Sequence, residues 1–233
     1  MPPNDSNGAL LPYEAERMIR PELALARPPL DPARTAVVVV DMINHQVPRE
    51  ASARAHGYFV DRLANTVIPA HQRLLAAARE HGAKVVYLVV GAEREDGSDA
   101  IRPFQEMFRI NRAIIGSAAC EVIPEIAPEP GDICLPKAGS GGFSTSRLDS
   151  CLRNLGIDHV LYTGVVTNAC VLLTLGAGFD LGYYGYLVTD ATATYSQRLQ
   201  DFTEEIVCGY MALTVTTDEI IGQLAGTPAL AVR

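Results

Sequence analysis

Three side chains of this sequence have types and positions that suit joint chemistry: Cys170, Asp41 and Lys137. Cys170 follows the apolar run HVLYTGVV (159–166) and opens a helical pattern over 168–181, so it is expected in the first turn of a helix that a strand has just entered. Unpaired backbone N–H groups and the positive end of the helix dipole lie there, and both favour a thiolate and can hold an oxyanion. Asp41 closes the run TAVVVVD and Lys137 follows DICLP, each at the end of a strand-like segment. A carboxylate, a cation and a thiol set together suit acyl transfer. Cys170 would attack a carbonyl carbon, while Asp41 would take the thiol proton and later return one to the leaving amine. Lys137 would hold Asp41 ionised and help keep the sulfur as thiolate. Water would then hydrolyse a thioester, and the three groups would titrate as one coupled unit. Singly, a cysteine is more often packing, an aspartate after a strand more often a cap, and a lysine more often solvated. Their coincidence at strand ends is what carries the chemical reading.

Apolar runs of strand length alternate with helical patterns, the signature of βαβ units and a parallel sheet covered on both faces. Strands are expected at 35–41, 84–90, 132–135, 159–165, 185–189 and 213–216, and helices at 59–81, 146–155, 168–181, 199–211 and 218–224, with Gly82 and Gly156 closing the first two. The expected fold is α/β: a single-domain, Rossmann-like, three-layer α/β/α arrangement with a mostly parallel six-stranded sheet, over 35–233. Residues 1–34, rich in proline, are expected to form an arm across the surface or onto a neighbouring subunit. In an open parallel sheet ligands bind outside the carboxyl ends of the strands, where strand order reverses. That is where Asp41, Lys137 and Cys170 fall.

A chain of 233 residues with 48% hydrophobic content can bury one sizeable core. The formal net charge of −8 and the lack of a basic stripe argue against nucleic acid and anionic membranes as partners, and for a small-molecule substrate. The N-terminal residues lack a basic segment leading into an apolar one and no apolar run reaches spanning length, so a cytoplasmic protein is expected. Five cysteines at irregular spacing without CxxC suggest neither a disulfide framework nor a zinc ribbon. Cys134, Cys151 and Cys208 read as core.

The segment VVVVDMIN (37–44), the stretch LPKAGSGGFSTSRLDSCLRNLGIDHVLYTGVVTNACV (135–171) and the stretch FDLGYYGYLVTDATAT (179–194) together resemble the isochorismatase-like cysteine hydrolases. That family includes nicotinamidases, N-carbamoylsarcosine amidases and ureido-compound amidohydrolases. The resemblance covers about residues 35 to 195 and implies Asp41 as base, Lys137 as catalytic lysine and Cys170 as nucleophile. It further implies a cis peptide at Val165–Val166, an oxyanion hole from the backbone N–H groups of Val166 and Cys170, and a homodimer or homotetramer. Relatives that cleave the vinyl ether of isochorismate commonly lack the cysteine, so Cys170 points to C–N hydrolysis of an amide, carbamoyl or ureido compound. Nicotinamidase-type relatives hold zinc through histidines in a motif resembling DWHP. This chain has VGAEREDGSDA there, so neither a metal nor another cofactor is expected.

Substrate contacts are less determined. Many relatives read DMQNDF where this chain has Asp41-Met42-Ile43-Asn44-His45-Gln46, so the pocket wall is altered. Asn44, His45 and Phe143 are taken as candidate substrate-binding residues. Tyr58, Phe104 and Phe108 are candidate covers of the cleft, and Arg94, Arg109 and Arg112 would clamp a carboxylate if the substrate carries one. Two alternatives stay open: an ether hydrolase using Asp41 and Lys137 with Cys170 idle, and a non-catalytic ligand-binding or redox-sensing protein in which Cys170 is oxidised reversibly.

Overall fold

The computed structural model describes residues 27–50, 57–208 and 210–226, so most of the proline-rich arm lies outside the described residues. Six strands form one sheet: β1 (Thr35–Val40), β2 (Lys84–Val90), β3 (Ile133–Lys137), β4 (His159–Val165), β5 (Tyr184–Ala193) and β6 (Ala212–Val215). Their order is β3-β2-β1-β4-β5-β6 and every neighbouring pair is parallel. Residues Ala36 to Val40 of β1 are completely buried, which explains the unbroken valine run of a strand covered on both faces. Each such valine contributes on the order of 1.5–3 kcal/mol by leaving water.

Alternate residues of the sheet feed two cores. Val37, Val39, Val85 and Tyr87 pack with Leu74, Leu75 and Ala78 of α2 (Ile68–Glu80), on one face. Ala36, Val38, Val40 and Leu88 pack on the other with Leu148 and Leu152 of α5 (Leu148–Asn154) and Leu175 of α6 (Leu172–Asp180). A third cluster, around Ile43, Val90, Phe108 and Cys120, fills the space beyond the end of β2. Helices α7 (Gln197–Val207) and α8 (Thr217–Leu224) start on the side chains of Ser196 and Thr216, the latter in a capping box with Glu219.

Several element bounds depart from the sequence reading, each for a local reason. The helix expected over 59–81 is α1 (Gly57–Arg62), a π-helical turn (Leu63–Val67) and then α2, because Pro69 has no N–H to continue a regular ladder. The helix expected over 146–155 is split into α4 (Gly142–Thr145) and α5, with Ser146 in extended backbone between them. Strand β3 runs on to Lys137 through Pro136, tolerated because β3 is an edge strand. Strand β5 continues to Ala193, four residues beyond its expected end, by way of a register shift against β4 between Tyr162 and Gly164. α7 ends at Val207 rather than 211. α3 (Gln105–Asn111) was not foreseen. Cys151 is buried as expected, but Cys134 and Cys208 are exposed, because Cys134 sits on the uncovered face of the edge strand and Cys208 lies just past the end of α7. Among the described residues no helix is long and apolar enough to cross a membrane.

Candidate active site

Strand order reverses between β1 and β4, so the chain leaves these two neighbours in opposite lateral directions and a crevice opens at their carboxyl ends. Gly164 makes the pair close tightly there. Its φ is +99°, and a Cβ at this position would stand 2.0 Å from the carbonyl oxygen of Val40. Asp41, the next residue after β1, has a φ of 53°, a left-handed conformation that costs a non-glycine residue about 1–2 kcal/mol. Three contacts hold it: Ile43 N–H donates to its carbonyl (2.8 Å), its own N–H donates to Leu88 O (3.0 Å), and Val90 N–H donates to Oδ1 (3.0 Å).

The end of β3 supplies the cation. Lys137 is paired with Val90 in the β2–β3 register, and its Nζ lies 2.9 Å from Asp41 Oδ2, both side chains essentially without solvent contact. That contact is an ion pair lacking hydrogen-bond angles, since the ammonium donates to the carbonyls of Gly139 (2.7 Å) and Ser140 (3.1 Å). Burial drives the Asp41 carboxyl above its usual range, while first the charge of Lys137 and then the Cys170 thiol and the Val90 N–H act the other way. A buried carboxylate of raised basicity beside a fixed cation is the environment a general base needs.

Cys170 lies in a π-helical turn (Thr167–Val171) between β4 and α6, rather than in the first turn of a regular helix. Its thiol interacts with the Asp41 carboxylate, and it remains partly accessible while Asp41 and Lys137 are not. The peptide Val165–Val166 just ahead of the turn is cis. One expectation is corrected. The thiol is pushed up to about 11, first by burial and then by the negative charge of Asp41, with Lys137 and Ser140 pulling it down. The upward shift favours the thiol over the thiolate in the resting site. The lysine's charge is largely answered by its adjacent carboxylate, which sits against the sulfur as well.

The structure thus brings Asp41, Lys137 and Cys170 together, and gives most of the other candidates packing or surface partners of their own. Phe143 stacks on Tyr183 with ring centroids 5.4 Å apart and lies against Gly178, which commits its ring to packing between α4 and α6. Asn44 donates from Nδ2 to Ala118 O (2.9 Å) and from its N–H to Glu121 O (3.0 Å), so it fastens its loop to the segment before β3. His45 is half-buried within the electrostatic reach of Asp41; burial lowers its pKa, and Nε2 is buried without a hydrogen-bond partner among the described residues. Phe108 is fully buried against Phe104, and Tyr58 donates to Gln197 (2.9 Å). Arg94 and Arg109 pair with Asp96 and Glu106 on the surface. The sequence reading passed over Tyr195, half-exposed beside Phe59 and near enough to Cys170 to feel its charge, and the buried polar groups Thr167, Thr194 and Gln200 behind the cysteine turn. The available signal was Gln200 itself, an uncharged polar residue at an inward position of an amphipathic helix. Among the described residues, no three His, Cys, Asp or Glu side chains gather in a way that would hold a metal ion.

The family pattern described as the Isochorismatase domain matches residues 35–219, from the first residue of β1 into α8. The chain belongs to the isochorismatase family. Among curated proteins it is similar to the ureidoacrylate amidohydrolase RutB of Caulobacter segnis, 33% identical over 221 residues that cover 86% of this chain and 92% of that one. RutB of Pantoea ananatis is 36% identical over 199 residues, 78% of this chain and 79% of the relative. Among solved structures, a cysteine hydrolase from Pseudomonas syringae pv. phaseolicola 1448A superposes with a TM-score of 0.76 at 27% identity, covering 87% of this chain and 98% of the other. N-carbamoylsarcosine amidase from Thermoplasma acidophilum does so with a TM-score of 0.62 at 27% identity, covering 80% and 98%.

Proposed function

We propose that this isochorismatase-family protein hydrolyses a C–N bond of a small ureido or amide compound, with Cys170 as nucleophile, Asp41 as base and Lys137 as the charge that fixes them. The amidohydrolase class follows from the curated relatives. The observation that supports the residue roles is the buried Asp41–Lys137 ion pair of 2.9 Å with a partly accessible thiol within electrostatic reach of the same carboxylate.

The protonation states set the order of events. Because the resting sulfur is a thiol, it transfers its proton to Asp41 as it bonds to the substrate carbonyl carbon. The carbonyl π electrons move to oxygen, and the oxyanion is received by the backbone N–H groups of Val166 and Cys170. Collapse of that intermediate breaks the C–N bond, and Asp41 delivers its proton to the departing ammonia or amine. Water then attacks the thioester, Asp41 takes a proton from it, and the sulfur leaves and is reprotonated from Asp41. Through both halves Lys137 stays in place, tied to two backbone carbonyls, so the carboxylate it faces keeps one orientation. Asn44, with its amide used in the loop, is assigned a wall-building role, and His45 a polar contact to substrate through Nε2.

Ureidoacrylate, carbamoyl amino acids and primary amides, assayed for ammonia release, test the reading. At least one ureido acid is expected to turn over, with an acyl or carbamoyl adduct on Cys170 seen by mass spectrometry. Cys170→Ala is expected to lose on the order of 10⁴-fold or more in kcat. Full turnover by Cys170→Ala would overturn the assignment in favour of an ether-type use of Asp41 and Lys137.

A further inference from the structure

The turn that carries Cys170 is held from behind by a buried polar strut. Thr167, first residue of the π-helical turn and completely buried, donates from Oγ1 to Gln200 Oε1 at 2.8 Å. Gln200, 1% exposed, lies in α7 and has no sequence proximity to the turn. Its Nε2 donates to Thr192 Oγ1 (3.0 Å) near the end of β5 and to Glu204 Oε1 (2.7 Å) one helical turn along α7. One carboxamide therefore joins the cysteine turn, the strand beside it and a helix. A second tie runs parallel to it: Thr194 Oγ1 donates to Asn168 Oδ1 at 2.6 Å, and Thr194 follows Ala193, the register partner of Val165.

We propose that Gln200 and Thr167 are positioning residues for the reaction, holding the Cys170 turn so that its thiol meets Asp41 and its N–H groups meet the oxyanion. This rests on the reading of Cys170 as nucleophile. Three observations carry it. The turn has an irregular π-helical hydrogen-bond pattern, so its shape is less determined by its own backbone ladder than that of a regular helix. A side-chain amide has fixed donor and acceptor ends, and here both are used, so Gln200 fits only one arrangement of its three partners. A buried amide of this kind is retained only where its hydrogen bonds are complete, since an unpaired buried polar group costs about 1–3 kcal/mol. None of the atoms in the strut is left unpartnered. Packing alone would be served equally by an aliphatic side chain at this inward face of α7.

The test uses Thr167→Val, which removes only the hydroxyl, with Thr167→Ser as the conservative rescue and Gln200→Leu as the partner change. Turnover is read on the ureido acid that the wild type hydrolyses. A second reading needs no substrate: alkylation of Cys170 by iodoacetamide as a function of pH, with all five cysteines followed by mass spectrometry. Cys170 faces Asp41, Lys137 and Tyr195, and its pKa depends on how closely the turn holds it to them. Thr167→Val and Gln200→Leu are each expected to lower kcat 10- to 100-fold with KM within twofold. The alkylation midpoint should fall at Cys170 alone, while Thr167→Ser restores both readings to within threefold. The double variant should be no worse than the poorer single one. An unchanged kcat, or a lowered kcat with the Cys170 alkylation profile unmoved, would overturn the inference. If Thr167→Val does not fold, Gln200→Asn, which shortens the arm by one methylene but keeps its polar atoms, is read by the same two measurements. Should Cys170→Ala retain turnover, the nucleophile assignment has failed, and the alkylation profile still reports whether the strut holds the turn.

Discussion

Asp41 has two roles that compete: it balances a buried ammonium and it must accept a proton during turnover. Burial raises its carboxyl and Lys137 opposes the rise, so protonation sets in above the ordinary carboxylate range as pH falls. Protonated Asp41 is neither base nor counter-ion. The expected kcat/KM profile on a ureido acid therefore declines on the acid side, with the limb above the range of an exposed carboxylate, and its apparent pKa belongs to the coupled Asp41–Lys137–Cys170 group. A limb within the range of an exposed carboxylate would contradict this. Lys137→Met should be worse than a simple loss of activity, because it leaves Asp41 Oδ2 buried without the cation 2.9 Å away. Breaking one side of a buried pair costs about 3–5 kcal/mol, which a shift in urea midpoint would report. These three residues were legible in the sequence because a chemically active residue at a strand's carboxyl end stands out against the valine run before it. The state of the thiol was not legible. It depends on how deeply the turn is buried and on Asp41, more than 100 positions away, lying against the sulfur.

The elements show the same division between what is local and what is not. Valine-rich segments bounded by glycine and charge read directly as buried strands, and all six strands were placed within one residue of their observed start. What escaped was set by contacts between elements: the continuation of β5 to Ala193 depends on its shifted pairing with β4, and the π-helical turn at Cys170 depends on the strand and helix it joins. Gly164 belongs to this second class, since nothing in YTGVV says that its Cα must pass under Val40. Gly164→Ala would place a methyl group 2.0 Å from a backbone oxygen at a φ of +99°. Backbone cannot yield there as a side-chain tip does, because β1 and β4 are both central strands. A loss above about 4 kcal/mol is expected, enough that soluble folded protein should be scarce when checked by circular dichroism. A variant with native melting would show that β1 and β4 do not close as tightly as described.

For the molecule as a whole, stability should fall on mild acidification, and His71 is the main cause. It lies fully buried in α2, with Nδ1 2.8 Å from Val67 O and Nε2 without a partner among the described residues. Burial lowers its pKa from 6.5 to about 4. As pH drops below 6.5 the unfolded chain takes up a proton at this residue and the native protein does not until about 4, so the unfolded state gains over that window. At 1.36 kcal/mol per unit the loss approaches about 3 kcal/mol by pH 4, a large share of a typical domain's stability. His45 and His159 are lowered as well and add to the slope, whereas Asp41, raised in the fold, has the opposite sign because the native state binds its proton first. The parent curve is therefore a sum, and the difference between parent and His71→Leu isolates one contribution. Urea unfolding at pH 7.0, 5.5 and 4.5 should give a parent whose stability falls steadily and a variant that is less stable at pH 7 yet distinctly flatter below 6.5. Parallel curves would mean that the imidazole is protonated inside the folded protein, which would require its lone Nε2 to have found an acceptor in the core.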